Sequence, residues 1–227
     1  MLASLSALYF FVPLLDDVLL GYFSATSRIL YLGGYIAVLL AASSIVDPKG
    51  NAFRFALGGT LVSALLGALY IALDYKILHI LSSALMMWVI VRIILSIIGN
   101  LYNTKEVTVY TILGALCAYL LIGLLWSLGY TLIDDLDPHA FDIPASFQNH
   151  ARLLGDGNLS YINSLYYSLV TLTTLGFGDI TPVSTAAKMM TTAEAVVGQI
   201  FLVVNVARLV GIYSNKTPGS AQEENES

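Results

Sequence analysis

The sequence predicts an all-α membrane protein with six transmembrane helices, in which a short re-entrant helix and a glycine-rich strand precede the last span. Composition supports this fold class, because 57% of the 227 residues are hydrophobic and only 11% are charged. A soluble domain of this length does not need so much apolar surface. The chain also alternates long apolar runs with short polar breaks, and about 20 apolar residues are enough to cross a bilayer as a helix.

Four apolar runs fill the first part of the chain, and we assign residues 1–106 to a four-span domain. The first run starts at Leu2 with no basic segment before it, so we interpret it as a retained membrane segment rather than a cleaved signal. This run either ends at Asp16 or continues to Leu20. The next three runs, each closed by polar residues, comprise residues 29–46, 55–73 and 77–98.

A fifth apolar run, residues 107–132, and a last one, residues 186–213, complete the six predicted spans. An acidic stretch follows the fifth run, and we interpret it either as a solvated loop or as a loop that concentrates cations. Its aspartates are Asp134, Asp135, Asp137, Asp142 and Asp156. Residues 161–173 are then predicted to form a helix that is too short to cross the bilayer. The polar, acidic residues 215–227 are predicted to be disordered.

The glycine-rich strand, residues 174–178 with the sequence TLGFG, lies between this short helix and the last span. Non-helical backbone at membrane depth is tolerated only where it is buried in protein or lines a water-filled cavity, so the strand indicates a pore or a substrate cavity. Gly176 and Gly178 permit backbone angles that a Cβ atom disfavours, and such a strand can turn a column of carbonyls toward one axis. Four strands around that axis would replace the water shell of a potassium ion. One copy per chain therefore predicts a homotetramer.

Other function classes find little support in the composition. A net charge of −5 provides no basic surface for nucleic acid. The single cysteine, Cys117, has no partner for an internal disulfide. Three scattered histidines and the lack of a nucleotide-binding motif leave nothing from which to build an active site. We therefore expect no enzyme activity, no cofactor other than permeant K⁺ ions, and membrane lipid as a partner.

The sequence LYYSLVTLTTLGFGDITP, residues 165–182, resembles the pore loop of potassium channels. Three further stretches fit the helices that flank such a loop: YLLIGLLWSLGY at residues 119–130, EAVVGQIF at 194–201 and VARLVG at 206–211. The combination resembles prokaryotic six-span members of the ion channel family, which have a two-helix pore module. The resemblance is strong over residues 107–214. Over residues 1–106 it is one of layout, that of voltage-gated-like channels.

The resemblance implies a pore domain over residues 107–214. Its parts are an outer helix at 107–132, a pore helix at 161–173, a selectivity filter at 174–178 and an inner helix at 186–213. It further implies that K⁺ ions are coordinated by four backbone carbonyls and by the hydroxyl of Thr174, which completes the innermost site. The carbonyls belong to Thr174, Leu175, Gly176 and Phe177.

The residues expected to support the filter are Gly178, Asp179, Tyr166, Tyr167 and Val170. The two tyrosines would form an aromatic cuff, and Asp179 would hold the strand through hydrogen bonds to it. Leu175 stands where the family commonly has valine. Phe177 stands where it commonly has a tyrosine whose hydroxyl ties the filter to the cuff. Val170 occupies a position at which some relatives have a carboxylate that bonds to the filter aspartate.

Three residues of the last span are candidates for a role in gating: Glu194, Gly198 and Gln199. A carboxylate inside a membrane is costly and is usually functional or hydrogen-bonded. We expect Glu194 to bond a hydroxyl of the pore helix, Ser168 or Thr171, and we keep a gating role as the alternative. Gly198 is placed either to let the inner helix bend or to permit close helix packing.

The fourth predicted span contains one cationic residue, Arg92. Steep voltage gating needs several charges in that span. We therefore expect steep voltage gating to be absent. His79 lies near the start of this span and is interpreted as an interfacial residue rather than a pH sensor. Regulation is then expected from the membrane, from pH, from the filter itself or from a separate regulatory subunit.

The leading functional interpretation is a potassium-selective channel in the plasma membrane, with the acidic stretch and Asp179 outside and both chain termini in the cytoplasm. A weakly selective cation channel is the first alternative, because Leu175 and Phe177 alter the packing of the filter. A non-conducting regulatory subunit is the second, although an intact filter sequence argues against it.

Overall fold

A computed structural model of the protein describes residues 51–73, 75–103, 108–144 and 159–214. In chain order these residues form α1 (Asn51–Leu73), α2 (Lys76–Asn103), α3 (Val109–Leu136), β1 (Phe141–Asp142), α4 (Tyr161–Leu172), β2 (Thr181–Pro182) and α5 (Thr185–Ser214). The first two predicted spans and the acidic tail lie outside the described residues. The described part of the chain is mostly helical, as predicted.

Three helices of the described part are long and apolar enough to cross a membrane: α2, α3 and the Thr185–Arg208 portion of α5. The apolar part of α1, Leu57–Tyr70, is shorter. All four helices fall on predicted spans, and their ends differ from the predicted ones by up to five residues. The six-span layout remains a prediction because its first two members are not among the described residues.

The helices pack in chain order, with α1 against α2, α2 against α3, α3 against α4 and α4 against α5. On α2 the buried residues recur every three or four positions, which places them on one face. They are Ser83, Met86, Val89, Ile90, Ile93, Ile94, Ile97 and Leu101. This face meets Ala118, Leu121 and Leu124 of α3 in the main apolar cluster. In a bilayer such contacts stabilise through close van der Waals packing rather than through removal of apolar surface from water.

Helix α3 extends beyond the predicted end at residue 132, through Leu136. Asp134, expected in the acidic loop, therefore lies in the last turn of α3 and is only 2% exposed. Its Oδ2 accepts a hydrogen bond of 2.8 Å from the backbone N–H of Leu159. The expectation that Asp134 belongs to a solvated or cation-attracting loop is wrong, because a hydrogen-bond donor 25 residues away along the chain allows the carboxylate to be buried.

Helix α4 begins after Ser160, whose hydroxyl accepts from the backbone N–H of Asn163 and caps the helix. It ends at Leu172, one residue before the predicted end, and Thr173 forms its C-cap. Two short strands then join the chain on both sides of α4. β1 and β2 pair antiparallel, with Phe141 opposite Pro182 and Asp142 opposite Thr181, which fixes the segment after the glycine-rich strand against the segment after α3.

Candidate functional site

The glycine-rich strand follows directly from the turn that ends α4. Its residues at alternate positions adopt left-handed backbone conformations, with φ of 59° at Thr174, 58° at Gly176 and 75° at Gly178. In an ordinary strand successive carbonyls point to opposite sides, whereas alternation of left- and right-handed residues turns successive peptide units toward the same side. The backbone thus has the regular alternation that a single column of carbonyls needs.

Thr174 is the residue of this strand whose conformation the sequence does not predict. A left-handed φ is rare for a β-branched side chain because its Cβ substituents crowd the backbone. Such strain persists only where the surroundings fix the conformation. The backbone N–H of Thr174 donates a 2.9 Å hydrogen bond to the carbonyl of Thr171, within the turn that follows α4.

The backbone carbonyl of Val170 anchors the start of the glycine-rich strand. It accepts hydrogen bonds from the backbone N–H groups of Leu175, at 2.9 Å, and Gly176, at 3.3 Å. The expectation from the sequence concerned only the Val170 side chain, which has no carboxylate. The contact with the strand is made by the main chain, whose hydrogen bonds depend on the fold rather than on the residue type.

Tyr166 joins the middle and the end of the same segment. Its ring stacks on the ring of Phe177, with the centroids 6.4 Å apart and the planes 8° from parallel. Its hydroxyl donates a 2.5 Å hydrogen bond to Oδ2 of Asp179. The other carboxylate oxygen of Asp179 accepts from the backbone N–H of Ile180. A hydrogen bond from the tyrosine to Asp179 is therefore present although Val170 cannot supply one.

Tyr167, the next residue of α4, contacts other elements. Its hydroxyl is 2.8 Å from the hydroxyl of Thr191 on α5. Its ring makes edge contacts with Tyr130, at a centroid distance of 4.9 Å, and with Phe141, at 5.5 Å. Within the single chain, Tyr166 contacts the glycine-rich strand and Tyr167 joins α4 to its neighbouring elements. The cuff made by both tyrosines stays a prediction.

Glu194 is fully buried where α3, α4 and α5 meet. The hydroxyl of Tyr130 donates to Oε2 and the hydroxyl of Ser168 donates to Oε1, both at 2.5 Å. The Ser168 oxygen also lies 2.7 Å from the carbonyl oxygen of Gly123. Ser168 is one of the two partners expected from the sequence, whereas Tyr130 was not anticipated. Both carboxylate oxygens thereby have a hydrogen-bond donor, as a buried carboxylate requires.

Gly198 lies one turn further along α5, against the end of α4. A Cβ atom added to it would come within 2.8 Å of the carbonyl oxygen of Leu172 and 2.9 Å of Cδ1 of the same residue. The hydroxyl of Tyr119 donates a 2.8 Å hydrogen bond to that carbonyl. Close packing, one of the two roles predicted for Gly198, is thus present. The neighbouring Gln199 is exposed in the single chain.

Most of α5 presents apolar side chains that the rest of the chain leaves uncovered. The exposed ones include Val196, Val197, Ile200, Val203, Val206 and Val210. Leu175 and Phe177 of the glycine-rich strand are also exposed, at 58% and 64%. An exposed apolar surface of this extent is typical of a surface that further protein or lipid covers.

Residues 140–215 match the ion channel family model. The match covers about a third of the chain and includes α4, the glycine-rich strand and α5. It points to a channel and not to an enzyme.

The chain is also similar to the potassium channel protein kcv of Paramecium bursaria Chlorella virus 1. The two are 37% identical over 62 residues, which is 27% of this chain and 64% of the viral protein. The chain thus spans slightly less than two thirds of the length of this curated relative.

Within the described residues, no group of three or more histidine, cysteine, aspartate or glutamate side chains is arranged to hold a metal ion. Backbone carbonyls are the groups available to a permeant K⁺ ion in the glycine-rich strand. One polar cluster away from this strand was missed by sequence reasoning: His79, Asp135 and Tyr161 come together at the start of α4. These three residues are far apart along the chain, so no local sequence pattern predicts the cluster.

Proposed function

We propose that this chain is the subunit of a potassium-selective channel that conducts K⁺ passively across the plasma membrane as a homotetramer. The observation that supports it most directly is the alternating left-handed backbone of the glycine-rich strand. This strand lies within the part of the chain that matches the ion channel family model. The similarity to a viral potassium channel protein supports potassium as the permeant ion.

In this proposal the glycine-rich strand is the selectivity filter. The carbonyls of Thr174, Leu175, Gly176 and Phe177, with the Thr174 hydroxyl, replace the water molecules around the ion. Gly178 supplies the last left-handed residue. The C-terminal end of α4 lies two residues before the strand, and its partial negative charge favours a cation. Asp179 adds negative charge at the end of the filter and raises the local cation concentration.

Four chains are needed because one strand covers one side of the ion. A ring of equivalent carbonyls requires closed fourfold symmetry. The uncovered apolar side chains of α5 and the exposed Leu175 and Phe177 supply surface for neighbouring subunits. We place the acidic residues after α3 outside the cell and both chain termini in the cytoplasm.

The test is potassium flux from liposomes that contain the purified chain, with barium as a blocker. Gly176→Ala is expected to lower the flux at least tenfold, because alanine disfavours a φ of 58°. Within the single chain, a Cβ atom there meets no heavy atom within 4 Å. The matched control is Gly99→Ala, inside α2 and equally uncrowded, which should conduct like the wild type. Equal flux through both variants would contradict the filter assignment.

A weakly selective cation channel is the second candidate. It is favoured by Phe177, which lacks a hydroxyl and is held by stacking on Tyr166. Reversal potentials under opposed sodium and potassium gradients distinguish the two candidates. A potential close to the potassium equilibrium value supports selectivity, and one near zero supports the second candidate.

A further inference from the structure

His79 lies in the first turn of α2, and both nitrogens of its ring have polar neighbours on other helices. Nδ1 is 2.9 Å from Oδ2 of Asp135, in the last turn of α3. Nε2 is 2.8 Å from the hydroxyl of Tyr161, the first residue of α4. His79 therefore joins the fourth predicted span to the outer helix and to the short helix that leads into the glycine-rich strand.

Other charged or titratable groups approach this cluster from the elements around it. The Lys76 ammonium, on α2 itself, donates a hydrogen bond to the backbone carbonyl of Asp135. The ring of Tyr70, on α1, lies 5.0 Å from the imidazole ring, with the two planes inclined by 50°. The side chain of His79 is 15% exposed and that of Asp135 is 24% exposed. The cluster is therefore mostly shielded, yet water and protons reach it.

Protonation changes what His79 can do at both nitrogens. A neutral imidazole has one donor and one acceptor, so when Nδ1–H points to Asp135, Nε2 accepts from the Tyr161 hydroxyl. A protonated imidazole donates at both nitrogens, and Tyr161 must then turn its hydroxyl hydrogen away. The imidazole then also carries a positive charge, so its 2.9 Å contact with an ionised Asp135 becomes an ion pair. Histidine is the side chain that ordinarily makes this change between pH 5 and 8.

Helix α4 connects this cluster to the glycine-rich strand. It contains 12 residues, and a helix of that length spans about 18 Å at 1.5 Å per residue. Tyr161 is at its first turn, and the glycine-rich strand begins two residues after its end. Stronger contacts of His79 with Tyr161 and Asp135 therefore restrain α4, the helix that positions the strand.

We infer that His79, Asp135 and Tyr161 form a proton-sensitive link through which the helix α2 regulates conduction, and that acid pH favours the conducting arrangement. This inference rests on the proposed channel function and assigns a regulatory stimulus to it. It also gives the four-span domain a role that does not require a charged fourth span.

The test measures potassium flux from liposomes at symmetrical pH 5.5 and 7.5. Valinomycin is used to verify that the vesicles themselves respond equally at both pH values. Wild-type flux is expected to be at least threefold higher at pH 5.5. In His79→Gln the ratio should fall to about one. The matched control is His139→Gln, which changes an exposed histidine after α3 and should keep the wild-type ratio.

Tyr161→Phe and Asp135→Asn each remove one partner and are expected to reduce the ratio without abolishing flux. Nuclear magnetic resonance of histidine-labelled protein gives a readout that does not depend on conduction. The His79 imidazole resonances, identified by their loss in His79→Gln, should change position in Tyr161→Phe. Flux with the same pH ratio in wild type and His79→Gln would overturn the link alone. Absence of flux at both pH values, from protein whose His79 resonances still respond to Tyr161→Phe, would overturn the proposed function.

Discussion

Tyr166 and Tyr167 are consecutive in the sequence but contact different neighbours of α4. Tyr166 stacks on Phe177 and donates to Asp179, whereas Tyr167 pairs with Thr191 on α5. Two neighbouring helix positions are about 100° apart around the axis, so only one of them can face the glycine-rich strand. Phe177 lacks a hydroxyl, and the hydrogen bond from Tyr166 to Asp179, two residues further along the chain, takes the place of the bond that it would make.

Removal of the Tyr166 hydroxyl is expected to loosen the filter without removing conduction. Tyr166→Phe keeps the ring that stacks on Phe177 but loses the hydrogen bond to Asp179, which leaves one carboxylate oxygen without this donor. We expect single-channel conductance to be retained and the current to decline several-fold faster during sustained opening, measured in lipid bilayers.

The matched control for this variant is Tyr167→Phe. It loses a hydroxyl contact of similar length, to Thr191, but away from the strand. Its current should decline at the wild-type rate. Equal acceleration in the two variants would show that general loosening of α4, rather than the Asp179 contact, sets the rate.

Single residues also show what the sequence could and could not predict about the site. The bond between Glu194 and Ser168 was predictable because a buried carboxylate needs a donor and the preceding short helix offers hydroxyl groups. The second donor, Tyr130, lies 64 residues away along the chain, and no local pattern indicates it. The left-handed Thr174 was also unpredictable, because only glycine signals such a conformation by its residue type.

At the scale of helices, the contact between α4 and α5 depends on the missing side chain of Gly198. The carbonyl of Leu172 approaches this glycine from the end of α4. The same carbonyl accepts the hydroxyl of Tyr119 from α3. Three helices thus meet at one peptide group, immediately before the glycine-rich strand.

Gly198→Ala is expected to destabilise this contact by about 1–3 kcal/mol, because a backbone oxygen 2.8 Å from the new Cβ cannot move aside without shifting the helix. The measurement is unfolding of the detergent-solubilised protein followed by circular dichroism. Gly211→Ala, in the same helix, adds a Cβ with no heavy atom within 4 Å and should be at least as stable as the wild type. Equal stability of both variants would contradict the close-packing role.

The ends of the helices were predictable where polar residues interrupt an apolar run. Helix α5 occupies Thr185–Ser214, one residue longer at each end than the sequence predicts. Helix α3 instead continues past its apolar part, because Leu159 donates to Asp134 and His79 contacts Asp135. Those contacts come from distant parts of the chain. A sequence pattern that treats aspartate as a loop residue therefore ends the helix too early.

For the whole molecule, the shortage of charge in α2 limits how the channel responds to voltage. Arg92 is the one arginine of this helix, and Lys76 lies at its end. Each elementary charge that crosses the field contributes about 2.3 kcal/mol per 100 mV, and steeply gated channels move three to four charges per subunit. The single arginine of α2 in each chain supplies at most about a third of that energy.

We therefore expect a shallow conductance–voltage relation in planar bilayers. The limiting slope should correspond to at most about four charges for a tetramer, one from each chain. Arg92→Gln should reduce the slope further or leave it flat. A slope of 12 charges or more would contradict the prediction that steep voltage gating is absent.

The pairing of β1 with β2 has a practical consequence for engineering the protein. Asp142 is held opposite Thr181, and the next described residue after position 144, Leu159, is bonded to Asp134. Both flanks of residues 145–158 are thus fixed to other elements of the described chain. An antibody epitope inserted between positions 144 and 159 is accordingly expected to leave the pairing of β1 with β2 and the Leu159–Asp134 hydrogen bond in place.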